Sequence, residues 1–170
     1  MIKYKLLTDF SSTGSEKRWN VADDEVSGGL SKGRLEITTD NTGLFEGRLS
    51  IEKNSGSVSV STFIGDLFLD GFKGVAIRVK GDGRRYRFRL GTAETPEGLA
   101  YECSFATQPD AWTTVHLPFS EFEPFSQGNV VAYAPALNYS DIRQIGLMIA
   151  DGHPGSFRLE IEWLKAYLAY

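Results

Sequence analysis

The stretch Gly74-Val75-Ala76-Ile77-Arg78-Val79-Lys80-Gly81-Asp82-Gly83-Arg84-Arg85-Tyr86-Arg87-Phe88-Arg89-Leu90 carries the clearest pattern in the chain. Val75, Ile77 and Val79 alternate with Ala76, Arg78 and Lys80; Tyr86, Phe88 and Leu90 alternate with Arg85, Arg87 and Arg89. An extended chain points successive side chains to opposite faces, so this period of two marks half-buried strands. Outward from this stretch the pattern recurs. Tyr101, Cys103 and Phe105 alternate with Glu102, Ser104 and Ala106, and Val58 and Val60 with Ser57, Ser59 and Ser61. Phe157, Leu159, Ile161 and Trp163 alternate with Arg158, Glu160 and Glu162. In 143–150, Ile145, Leu147 and Ile149 alternate with Gly146, Met148 and Ala150, which predicts a strand covered on both faces.

Turn residues punctuate these runs: Asp40-Asn41-Thr42-Gly43, Lys53-Asn54-Ser55-Gly56, Gly81-Asp82-Gly83, Gln108-Pro109-Asp110 and Asp151-Gly152-His153-Pro154-Gly155. Many short strands at this spacing predict an all-β antiparallel β-sandwich or jelly roll, with under about a tenth of residues helical. Short turns of helix are expected at Ser120–Phe122 and Ser140–Arg143, with serine as the cap. The 170 residues suit one domain, 1–170, large enough to need neither a disulfide nor a metal staple.

Charge and cysteine use narrow the setting. The net charge of -4 and a pI near 5.2 speak against nucleic acid as the main partner. The lone cysteine, Cys103, permits no intrachain disulfide and fits a reducing compartment. No apolar run reaches the ~20 residues that span a bilayer. Lys3, Lys5 and Asp9 interrupt the first residues, so no signal-peptide core forms there. The expected location is the cytoplasm, or an organelle matrix or stroma after removal of a transit peptide, peripheral to a membrane at most.

From Trp19 onward several segments have a familiar order. They are Asp24-Glu25-Val26-Ser27-Gly28-Gly29-Leu30-Ser31, Phe45-x-Gly47, Ile51-Glu52-Lys53-Asn54, Gly74 to Leu90, Leu117-Pro118-Phe119-Ser120-Glu121-Phe122, 145–151 and Gly155 to Ile161. In number and order these resemble the complex I intermediate-associated protein family, assembly factors of mitochondrial respiratory complex I with stand-alone bacterial relatives. The resemblance implies a jelly roll like that of galactose-binding domains and a non-enzymatic role in assembling membrane-bound electron-transfer complexes. Its partners would be protein subunits or assembly intermediates. Ser27 stands where the family has Met, and Ser57 and Ser61 where it commonly has Phe and Arg; those departures point to an altered partner surface.

Candidate binding residues follow. If the two quoted strands form a hairpin with Lys80 opposite Arg85, one face carries Arg78, Lys80, Arg85, Arg87 and Arg89. Like charges directly opposite destabilise a sheet. Glu102, Glu160 and Glu162 on neighbouring strands are the expected counter-charges. The remaining positive charge makes the face a candidate platform for an acidic peptide, phosphate or lipid headgroup. Trp19 with the loop Asn20–Ser31, containing Asp24, Gly28 and Gly29, is a second candidate, although the first reading of this segment is a structured crossover loop with Trp19 as a plug of the core. Asn54 joins the candidates through the matched segment at 51–54.

Catalytic motifs are not found. His116 lies within a strand and His153 in a turn, without a patterned acid–base partner. Gly81-Asp82-Gly83 opens like a dinucleotide fingerprint, but no helix follows, so it reads as a turn. Asp23, Asp24, Glu25, Asp66 and Asp70 lack a calcium-ligand spacing and read as solvated acids. No enzyme activity, cofactor or metal is therefore expected. The rival to an assembly factor is a carbohydrate-binding module, which shares the fold. Sugar platforms use exposed aromatic rings, and the aromatics here fall in the apolar phase.

Overall fold

The computed structural model describes residues 1–12, 14–23, 29–52, 56–65, 67–96 and 98–169. They form strands β1 (Ile2–Asp9), β2 (Asn20–Asp23), β3 (Lys32–Ile37), β4 (Gly43–Leu49), β5 (Val58–Phe63), β6 (Gly74–Lys80) and β7 (Arg85–Thr92). These are followed by β8 (Leu99–Ala106), β9 (Trp112–Pro118), β10 (Glu123–Ser126), β11 (Asn129–Val130), β12 (Ile142–Ile149) and β13 (Gly155–Ala169). Helix among the described residues is confined to 3-10 turns at Ser15–Arg18, Phe119–Glu121 and Tyr139–Asp141. The last is capped by the Asn138 side chain, which accepts from the Ser140 N–H at 3.2 Å, rather than by serine.

The strands build two antiparallel sheets packed as a jelly-roll sandwich. One has six strands in the order β3-β4-β13-β6-β9, with β1 paired to the C-terminal half of β13. The other has seven, in the order β11-β10-β8-β7-β12-β5-β2. The inward phases meet between them. Val75, Ile77, Val79, Phe157, Leu159 and Ile161 come from the first sheet; Tyr86, Phe88, Leu90, Ile145 and Leu147 come from the second, all at most 2% exposed. Rings from both sheets interlock. Phe45 meets Phe157 edge-on at 5.0 Å, and both meet Tyr86 at 6.4–6.5 Å. Such aromatic contacts contribute about 0.5–1.5 kcal/mol beyond area burial.

This arrangement corrects the expected hairpin. β6 pairs with β13 and β9, whereas β7 pairs with β8 and β12. Gly81–Arg84 is a corner that carries the chain from one sheet to the other. Alternation alone does not distinguish the two cases: apolar phases side by side in a hairpin and face to face across a core have the same sequence. The corner is specified by close contacts instead. Gly81 sits so near Thr107 that a Cβ there would lie 2.2 Å from the Thr107 Cβ. The Thr107 hydroxyl donates to the Arg84 carbonyl at 2.7 Å and accepts the Gly83 N–H at 3.1 Å. Asp82 accepts from the Tyr86 hydroxyl at 3.0 Å and from the N–H groups of Arg84 (3.0 Å) and Arg158 (2.7 Å).

Two further expectations are modified. The outer phase of β12 is only part-covered: Gly146 is buried, but Gln144 and Met148 are half-exposed. A bulge falls between Ile161, opposite Val79, and Trp163, opposite Arg78. The extra residue, Glu162, moves Trp163 out of the apolar phase and onto the outer face, as bulges reverse the alternation beyond them.

Candidate functional site

The five cations expected on one face stand on two. Arg78 and Lys80 project from the outer face of the six-stranded sheet, and Arg85, Arg87 and Arg89 from that of the seven-stranded sheet. Each group meets the glutamates named above. Arg87 and Arg89 both reach Glu102, at 3.0 and 2.9 Å, and Glu102 is only 5% exposed beneath them. Arg87 also lies over the Phe125 ring at 5.2 Å. Arg85 donates to Ser104 Oγ at 2.8 Å. Across the sandwich, Arg78 meets Glu162 at 3.5 Å and Lys80 meets Glu160 at 3.6 Å, while both cations lie over Trp112. Buried Glu160 is held further by the Thr42 hydroxyl at 2.8 Å. The β7 arginines are thus largely committed within the protein. Beside them is a pocket of about 260 Å³ lined by Arg89, Gln144, Ser61, Gly91 and Thr95.

Trp19 is 7% exposed and stacks on Phe10 at 5.7 Å, so it plugs the core. Gly29 is buried. Asp24, Gly28 and Asn54 lie outside the described residues, as do Glu25 and Asp66 of the acidic-loop reading. Among the described residues no group of three or more His, Cys, Asp or Glu side chains is placed to hold a metal ion.

Two features escaped sequence reasoning. The first is Arg84, which carries no alternation signal because it lies in the corner. Its guanidinium forms a bidentate pair with Asp151 (2.9 and 2.7 Å) and donates to the carbonyls of His153, Gly155 (3.2 Å) and Ser156 (2.9 Å). Burial by itself would raise the Asp151 pKa, but the hydrogen bonds from Arg84 and the His153 N–H, with the Arg84 charge, outweigh it and hold the carboxyl below its ordinary value. The second is an aromatic group on the outer face of the six-stranded sheet. Trp163 lies 5.9 Å from Tyr4, whose ring is also 5.9 Å from His116, and His116 meets Tyr167 at 4.9 Å. Lys165 lies over Trp163 at 4.1 Å and over Tyr4 at 5.6 Å. Ile2 and Leu6 extend this patch along β1, 45% and 48% exposed.

His116 Nε2 is 2.8 Å from the Tyr4 hydroxyl, and the His153 carbonyl is taken by Arg84. Cys103 is buried, and burial raises its pKa, which keeps the thiol protonated and unreactive.

Residues 8–161 match the complex I intermediate-associated protein 30 family. The chain belongs to that family. An uncharacterized protein of Schizosaccharomyces pombe is 30% identical over 89% of this chain and 78% of its own length. A protein of Caenorhabditis elegans named as a probable mitochondrial complex I intermediate-associated protein 30 is 28% identical over 56% of this chain. The match spans only 29% of that longer relative. Among solved structures, the family 11 carbohydrate-binding module of a Clostridium thermocellum cellulosomal cellulase superposes with a TM-score of 0.71. It covers 98% of this chain and 95% of the module at 17% identity. An agarase superposes with a TM-score of 0.67 at 10% identity, over 98% of this chain and 25% of the enzyme. These likenesses establish a galactose-binding-domain-like jelly roll for this family member and, at such identities, the fold alone. No helix among the described residues is long and apolar enough to cross a membrane.

Proposed function

We propose that this chain is a non-catalytic binding domain that helps assemble a membrane-associated electron-transfer complex, respiratory or photosynthetic, by holding protein subunits or assembly intermediates. The observation that carries the reading is the family match over residues 8–161. The side-chain chemistry supports it: His116 is bonded to Tyr4, Cys103 is buried, and Arg87 and Arg89 are tied to Glu102 rather than aimed at a reacting group. Such a domain works in the cytoplasm, matrix or stroma at the surface of the membrane that holds its client. The test is affinity purification of the tagged protein from its native host. Recovery of complex I-type subunits at an early assembly stage is expected; their absence, with unrelated proteins or glycans recovered instead, overturns the reading.

One observation favours a second reading, a carbohydrate-binding module: the bulge in β13 that places Trp163 beside Tyr4 on the outer face. Sugar rings stack on such platforms. Against it, Lys165 already covers both rings. Retardation of the protein by soluble glucans in native gels, lost on Trp163→Ala, would support this reading over the first.

A further inference from the structure

We infer that the outer face at the β3–β4–β13 corner of the six-stranded sheet is a binding site for an acidic segment of a partner polypeptide. The site is an open hollow of about 600 Å³. The backbone of Gly33 and Gly47 lies along its floor, and Lys32, Arg34, Arg48 and Arg158 stand around it. Its two acids, Glu46 and Asp82, are already engaged. Glu46 takes Arg34 at 2.6 Å, and Asp82 is occupied by the Tyr86 hydroxyl and two backbone N–H groups. The guanidinium groups of Arg48 and Arg158 have no acidic partner among the described residues.

The register makes this arrangement costly. Lys32 is directly opposite Arg48 on the neighbouring strand, and Arg158 is opposite Glu46, the residue that Arg34 has already taken. Like charges opposite one another destabilise a sheet. Elsewhere on these faces the chain avoids the problem with Glu102, Glu160 and Glu162, so unanswered arginines here are a departure from its own practice. The protein as a whole is acidic, with a net charge of -4, so this positive spot is local rather than part of a general basic field. That selects against a long polyanion such as nucleic acid, which needs an extended basic surface. Arg48 and Arg158 stand on neighbouring strands two register positions apart, roughly 7–8 Å between backbones, which separates the forks enough to meet two carboxylates rather than one small anion. Arginine forks match carboxylates geometrically, and an open sheet face admits an extended peptide.

The inference rests on the reading that the domain binds protein clients, and its test is separable from that reading. A fluorescein-labelled oligoglutamate peptide is titrated by anisotropy against wild type, against the Arg48→Gln/Arg158→Gln double variant, and against Arg85→Gln as a control on the other sheet. Expected is binding to wild type that weakens as salt rises, at least a tenfold loss in the double variant, and little change in the control. A melting temperature no lower than wild type in the double variant excludes misfolding as the cause. No binding to wild type, equal binding by the double variant, or an equal loss in Arg85→Gln overturns the site. Co-sedimentation with phosphatidylserine vesicles that needs Arg48 and Arg158, without peptide binding, overturns the peptide in favour of a membrane. A client recovered from the host but unaffected by the double variant leaves the assembly role standing and this site refuted. Peptide binding without any recovered client does the reverse.

Discussion

Arg87 and Arg89 on β7 share one buried carboxylate, whereas Arg48 on β4 and Arg158 on β13 have none among the described residues. The chemistry is the same and the settings are opposite. On β7 the acid lies beneath the two cations and is shielded from water. At the β3–β4–β13 corner the cations stand in solvent, where an ion pair contributes about 0–1 kcal/mol even when formed. The first group therefore serves the fold and the second is free to serve a partner. Counting cations in the sequence cannot separate them, because the difference lies in which strands become neighbours.

The comparison breaks first if β7 has its faces reversed. Phe88 is wholly buried and meets Phe122 edge-on at 6.2 Å, so Phe88→Ala is expected to cost about 3–5 kcal/mol in denaturant unfolding. A cost under about 1 kcal/mol would place Phe88 outside, and with it Arg87 and Arg89 inside.

The next test addresses the shared carboxylate. Glu102→Gln keeps the shape but leaves two arginines facing each other over a neutral amide. The expected loss is about 2 kcal/mol, below the figure for a fully buried pair because both guanidiniums keep about a quarter of their exposure. Unfolding curves that superpose on wild type would mean that β7 holds its arginines no more firmly than the corner does.

What was legible in the sequence was phase, and what was hidden was adjacency. Tyr86, Phe88, Leu90, Val75, Ile77 and Val79 are all buried, as their alternation required, and the named glutamates do meet the named cations. The sequence predicts a hairpin between β6 and β7 because a corner between sheets preserves the same alternation. Alternation places Trp163 inward because one extra residue in β13 leaves no trace in composition. Arg84 carries no local signal because its partners, Asp151 to Ser156, lie about seventy residues away in sequence. The hollow at Arg48 and Arg158 draws on three separate strands and has no local motif.

Arg84 supplies an intermediate case, a cation fully satisfied at the molecule's edge. Its partner Asp151 has a depressed pKa, so their interaction stabilises the fold above the ordinary carboxylate value of 3.8 and is lost as the pH falls through and below it. Asp151→Asn is expected to cost roughly 1 kcal/mol at neutral pH, given partial solvent screening. The gap between wild type and variant should be constant above about pH 5 and close on acidification. A gap that widens toward low pH in thermal melts would show that Arg84 is held by the three carbonyls and that Asp151 contributes nothing.

The smallest effect expected is also the one that discriminates most. Arg48→Gln removes a cation that faces Lys32 across the strand pair and has no acidic partner among the described residues. If the corner is merely solvated surface, the substitution falls within about ±0.5 kcal/mol of zero. If the like-charge opposition is real, the change is a gain of a few tenths of a kcal/mol, larger at low salt and vanishing as salt screens the pair. The β7 counterpart, Arg87→Gln, must then move the other way, because it takes a partner from Glu102. Measuring both by chemical denaturation at low and high salt gives the comparison a sign as well as a size. Destabilisation by Arg48→Gln that exceeds that of Arg87→Gln would mean the corner arginine is structural, and the two faces would then have exchanged their roles.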